Sequence, residues 1–184
     1  MNQKIDKIRK LVKGTCEEGD WKYHMLPVIK YAKKLAKIYE ADEEIVELAA
    51  LLHDIGRTKL HDDKNHHISG VPEAEKILKK YNYSEKIIEE VKHCVKSHRG
   101  SKNIKPETMI AKIVANADAM AHFDVLPIFF YWRRDKKSFE EIIKWIDEKI
   151  ERDWNKKITL SKAKKIVEKK YRAIRLLLDS LKSC

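Results

Sequence analysis

The sequence is poor in chain-breakers and thiols. With only 5 Gly and 4 Pro in 184 residues, it lacks the dense turn chemistry of β-sandwiches, barrels, collagen-like chains and flexible linkers. Its three cysteines, Cys16, Cys94 and Cys184, cannot all pair and form no CxxC. That excludes a cysteine-built zinc finger and points to a reduced, cytoplasmic setting. No run of about 18 apolar residues reads as a membrane span. The start, MNQKIDKIRKLVKG, puts charges where a signal peptide needs an apolar stretch.

Charge is what the chain has in excess. Charged residues make up 38% and the formal net charge is +11, against roughly 25% charged in an average domain. This balance predicts anionic partners: a phosphorylated small molecule, foremost a nucleotide, with nucleic acid less favoured and a homodimer left open. Lysines on solvated helix faces account for much of the same excess.

Apolar residues recur at helical spacing almost throughout, and no strand pattern stands out. Trp21, His24, Val28, Tyr31 and Leu35 share one stripe. Asp42 can cap a helix carrying Ile45, Leu48, Ala49 and Leu52, with Gly56 placed to stop it. The stretch 56–66 reads as a loop, and Pro72 as the first turn of a short helix to Leu78. Ser84 opens a helix with Ile87, Val91, Cys94, Val95 and His98 on one face, ended by Arg99-Gly100. Pro106 opens another, with Ile110, Ile113, Val114, Ala117 and Ala121 as its stripe. Two long basic helices cover 138–153 and 159–182. Trp132, Trp145 and Trp154, near Ile142, Ile146 and Ile158, read as core. The expected fold is all-α, a single helical bundle of about seven to eight helices over 1–184. A core at 20–123 holds the unusual polar residues, and the basic extension 127–184 carries no chemistry-bearing motif.

Several polar residues break their helical pattern by pointing inward: His24, His53 and Asp54 at the end of ELAALLHDIG, His98, and Asp118 in AKIVANADAMA. Burying an unpaired carboxylate costs several kcal/mol, so two such Asp with several His suggest a shared cation. Singly, each has an ordinary explanation, such as a hydrogen-bonded core His or a helix-terminal cap. His93, among Lys86, Glu89 and Glu90, faces water and is assigned no role; His61 and His122 are also unassigned. Imidazole and carboxylate without thiolate suit Mn, Fe, Co, Ni or Zn, and suit Mg less well.

The order His24 … His53-Asp54 … Asp118, with the wording GDWKYH, LAALLHDIGR and IVANADAM, resembles the H…HD…D signature of the HD-domain superfamily of metal-dependent phosphohydrolases. The resemblance spans about 20–123. It implies an all-helical HD bundle with His24, His53, Asp54 and Asp118 as metal ligands. A subset of that superfamily adds two His for a second metal, and His66 and His98 stand in similar positions, with Asp54 bridging. His67 competes with His66, which the downstream spacing to Gly70, Ile77 and Leu78 favours. The Gly-Tyr-Pro element of cyclic-dinucleotide phosphodiesterases is absent after His98.

The expected activity is hydrolysis of a phosphate ester or anhydride by a metal-activated water, with one or two divalent ions. Asp54, His66 and His98 are the catalytic candidates; Arg57, Lys59, Lys64 and Arg99 are the candidates for binding phosphate. Two other readings stay open: a di-iron oxygenase on the same scaffold, and a non-catalytic nucleic-acid binder using the basic helices.

Overall fold

A helix buried on nearly every side belongs at the centre of a bundle, and two helices here meet that description. The computed structural model describes residues 3–99 and 104–182, so Gly100 and Cys184 lie outside the described residues. Helix α4 (Glu43–Leu52) buries every residue from Val46 to Leu52. Helix α8 (Met109–Ala121) is buried from Ile113 to Ala121.

Around them lie α1 (Gln3–Thr15), α2 (Glu18–Asp20), a π turn (Trp21–Met25), α3 (Leu26–Ile38), α5 (Ile55–Leu60), α6 (His66–Lys80) and α7 (Glu85–Ser97). The chain continues through α9 (Leu126–Arg133), α10 (Phe139–Arg152), a second π turn (Asp153–Lys157) and α11 (Ser161–Lys182). Helix α3 packs on α4 and α8, α7 closes the other side of both, and α6 lies against α5 and α7. No strand occurs among the described residues, and the all-α architecture agrees with expectation. The helical segments outnumber the expected seven to eight, because α2, α5 and α9 are too short to show a hydrophobic repeat.

Sequence signals placed some boundaries correctly. Asp42 caps α4, accepting from the backbone N–H groups of Glu44 and Ile45. Thr108, not Pro106, caps α8, its hydroxyl accepting from Ala111 N–H. Pro72 sits inside α6, which begins six residues earlier at His66; one ladder bond is given up there.

The expected loop at 56–66 is half helix, and Gly56 does not stop α4. It lies in α5, where a Cβ would sit 2.4 Å from His66 O and 2.8 Å from Gly70 N. The glycine therefore permits α5 and the start of α6 to touch backbone to backbone. His61, in left-handed conformation with φ 55°, ends α5 instead.

The C-terminal third is tied to α8 by Asn116, which is fully buried. Its Oδ1 accepts from Thr159 N–H at 2.9 Å and Leu160 N–H at 3.0 Å. Trp154 stacks on Tyr171 with ring centroids 4.2 Å apart. No single helix among the described residues is long and apolar enough to cross a membrane.

The α5–α6 contact yields a direct test. Gly56→Ala is expected to destabilise the fold by about 2–3 kcal/mol, the scale of overpacking a tight contact. Urea unfolding followed by circular dichroism measures it.

Candidate metal centre

Three imidazoles are presented by one local device. His53 follows the last residue of α4, His98 follows α7, and His66 begins α6. In each, Nδ1 faces the backbone carbonyl three residues earlier: Ala50 O at 2.8 Å, Val95 O at 2.7 Å and Asp63 O at 3.2 Å. A carbonyl only accepts, so the proton sits on Nδ1 and Nε2 keeps its lone pair. His53 thus satisfies its own helix end and still has a free nitrogen to offer. Burial pushes its imidazole down to about 4 and lowers His66 as well, so the neutral form prevails at pH 7.

Those three nitrogens, joined by His24 Nε2, converge on Asp54. His66 Nε2 and His98 Nε2 lie 3.3 and 3.4 Å from its Oδ1. His24 Nε2 and His53 Nε2 lie 3.3 and 3.6 Å from its Oδ2. His24 and His53 approach each other through Nε2 at 3.2 Å, and His24 reaches Asp118 Oδ1 at 3.6 Å. Acceptors facing acceptors among buried side chains repel unless a cation lies between them. Spacings of 3.2–3.6 Å are those of neighbouring ligands on an ion that binds nitrogen and oxygen at about 2.0–2.2 Å. The residues present therefore fit the expected metal. The donor atoms form overlapping trios, His24–His53–Asp54, Asp54–His66–His98 and His24–Asp118–His122, with one Asp54 oxygen toward each of the first two.

The carboxylates are not bare, which corrects the charge argument made from sequence. Burial would raise Asp54, but the neighbouring His53 and Arg57 outweigh it and hold the carboxyl well below the usual range. Arg57 donates to Asp54 Oδ2 from Nε at 2.9 Å and from Nη2 at 2.7 Å. Asp118 is likewise held low against its burial, chiefly by Lys157, whose Nζ is 3.1 Å from Oδ2. Each aspartate thus has a protein cation on Oδ2 and turns Oδ1 toward imidazoles, and Asp54 Oδ2 faces His24 and His53 as well.

The extension 127–184, expected to carry no chemistry, builds one wall of the site. An open cavity of about 220 Å³ over the cluster is lined on that side by Phe129, Trp132, Lys149, Arg152 and Lys157. Burial pushes Lys149 down to about 8. Both π turns coincide with the site, one carrying His24 and the other spanning Asp153 and Lys157, as such turns often do. The wider turn, closed by Ile158 N–H on Asp153 O at 2.9 Å, sets both side chains inward.

His24, His53, Asp54, His66, His98 and Asp118 are thus brought together as the sequence pattern placed them. Arg57 and Arg99 line the cavity, although Arg57 spends donors on Asp54 and Arg99 donates to Lys64 O at 2.6 Å. Lys59 and Lys64 do not line it; Lys59 pairs with Glu73 of α6. His66, not His67, faces Asp54. His93 does not simply face water: it is half-buried, and its Nε2 accepts from Glu107 N–H at 3.0 Å. Trp132 is 38% exposed at the cavity rather than core. Sequence reading missed His122, Lys149, Arg152, Asp153 and Lys157. Only His122 had a legible signal, its position one helical turn after Asp118.

Comparison with known proteins adds three findings. The family model described as HD domain matches residues 21–122. A tRNA (cytidine(56)-2'-O)-methyltransferase of Picrophilus torridus is 35% identical over 55% of this chain, and a ribonuclease Y of Desulforudis audaxviator is 34% identical over 53%. The chain spans 31% and 17% of the lengths of those two relatives. Bacillus subtilis YpgQ superposes with TM-score 0.79 at 21% identity, covering 98% of this chain and 95% of that one. YpgQ in complex with ADP gives TM-score 0.70 at 20% identity, covering 98% of this chain and 94% of that one.

The donor geometry predicts stabilisation by metal. Mn²⁺ or Co²⁺ added to EDTA-stripped protein at a hundredfold excess over Kd should add about 2.7 kcal/mol. Differential scanning fluorimetry should show the matching rise in Tm for the natural sequence and none for Asp54→Ala.

Proposed function

The chain belongs to the HD-domain family, and on that premise we propose that it is a metal-dependent phosphohydrolase acting on a phosphate ester or anhydride of a nucleotide or similar small phosphorylated molecule. The observation that carries this reading is the set of imidazole Nε2 atoms directed at carboxylate oxygens beneath a cation-lined cavity. His24, His53, Asp54 and Asp118 would hold one ion, and Asp54, His66 and His98 a second. A bound divalent ion lowers the pKa of a coordinated water and polarises a phosphoryl oxygen.

The chain's own groups supply the rest. Arg99, Lys149, Arg152 and Lys157 border the cavity and neutralise phosphate charge, the arginines in a geometry that matches two phosphate oxygens at once. Arg57 fixes the Asp54 carboxylate and keeps it ionised, so Asp54 Oδ1 can accept a proton from the attacking water. Phe129 and Trp132 form an apolar wall against which a base can stack. The ADP carried by the structural neighbour YpgQ is a ligand of this kind, a diphosphate joined to an aromatic base.

Metal-stripped protein reloaded with Mn²⁺, Co²⁺, Ni²⁺ or Mg²⁺ should release phosphate or pyrophosphate from ADP, ATP or simple phosphate esters. Asp54→Ala should lower kcat/KM on the order of 10³-fold, the scale of removing a principal electrostatic group. Cleavage of single-stranded RNA without turnover of nucleotides would replace the small-molecule substrate with a polymer. Oxygen uptake by the iron-loaded protein, with no hydrolysis under any metal, would overturn the hydrolytic reading.

A further inference from the structure

His122 stands outside the H…HD…D order, yet the structure seats it at the same cluster. It follows the last residue of α8 and lies one turn beyond Asp118. Its ring stacks on that of His24, with centroids 5.6 Å apart and planes 10° from parallel. Its Nδ1 is 2.8 Å from Asp153 Oδ2, and that carboxylate is fully buried. The carboxylate accepts, so Nδ1 carries the proton and Nε2 presents its lone pair. That Nε2 lies 3.7 Å from Asp118 Oδ1, again with acceptor facing acceptor.

Resting on the metal-centre reading above, we infer that His122 is a further protein ligand of the ion held by His24 and Asp118, with Asp153 as the carboxylate that orients it. A ligating histidine ordinarily donates its other N–H to such a group, which fixes the tautomer and raises its basicity. His24 enters both of its trios through the same Nε2. One lone pair binds one ion, so His122 adds a ligand to an existing ion and does not create a third site. Lys149 and Lys157, 3.4 and 3.8 Å from the Asp153 carboxylate, supply its counter-charge. Lys157 also occupies Asp118 Oδ2, which leaves Oδ1 as the oxygen toward the ion. Asp153 and Lys157 lie beyond the 21–122 span of the family match, so the ligand shell of this chain depends on its C-terminal segment.

Full-length, metal-stripped protein titrated with Co²⁺ tests this through the visible d–d spectrum and calorimetric affinity. His122→Gln is expected to weaken binding at least tenfold and to change the spectrum. Asp153→Asn should weaken it about tenfold, within the 10–100-fold range for loss of such a partner. Wild-type affinity and spectrum in His122→Gln, beside loss of binding in His53→Ala, would overturn the role of His122 and leave the metal centre standing. Absence of Co²⁺ and Zn²⁺ binding by the natural sequence would overturn the metal centre and this inference together. A readout that needs no variant is ¹⁵N-histidine NMR of the natural sequence. Zn²⁺ should shift the His122 Nε2 resonance along with those of His24 and His53, and an unmoved His122 signal would overturn the assignment.

Discussion

Everything at the centre of this protein depends on electron pairs that face one another with no proton between them. Buried imidazoles whose Nδ1 protons are committed to backbone carbonyls turn their Nε2 atoms onto the oxygens of Asp54. Such an arrangement is unfavourable in isolation. It makes physical sense as a preformed ligand set, in which bound metal replaces the repulsion with attraction. The fold holds it open by anchoring His53, His66 and His98 at helix termini, where a short-range hydrogen bond and packing both resist rotation of the ring.

That anchoring explains much of the architecture around the site. α4 and α8 are the two most buried helices, and they deliver His53-Asp54 and Asp118-His122 from their C-terminal ends. α7 delivers His98 and α6 His66. The close passage of α5 over the start of α6, which only a glycine at 56 permits, brings His66 within reach of Asp54. Helix C-termini carry partial negative charge, so three of them converging adds to the attraction for a cation. The protein supplies counter-charges of its own through Arg57 and Lys157, which keep both aspartates ionised before any metal arrives.

The C-terminal third changes the meaning of the chain's basicity. Most of the +11 net charge lies on solvated helix faces, but Lys149, Arg152 and Lys157 turn toward the cavity. They line it together with Arg99, while Lys59 and Lys64, nearer the motif in sequence, do not. Lys149 and Arg152 reach the cavity from α10, and Lys157 from the second π turn.

By itself, the sequence determined the helical class, most of the long helices and five inward-facing polar residues, His24, His53, Asp54, His98 and Asp118, while His66 was added by the family resemblance. Those signals are local: hydrophobic period, capping residues, and polar side chains placed on apolar stripes. It did not determine where the short helix α5 begins, that Gly56 marks a contact and not a stop, or that α6 starts at His66. Helices of one or two turns carry too little repeat to be read, and a backbone contact leaves no trace in the pattern. Tertiary structure alone decided which cations serve the site and that His122 and Asp153 join it. Asp153 lies 31 residues from its histidine partner. Its burial is set by how α10 and the π turn dock on α8, a packing that no periodicity encodes.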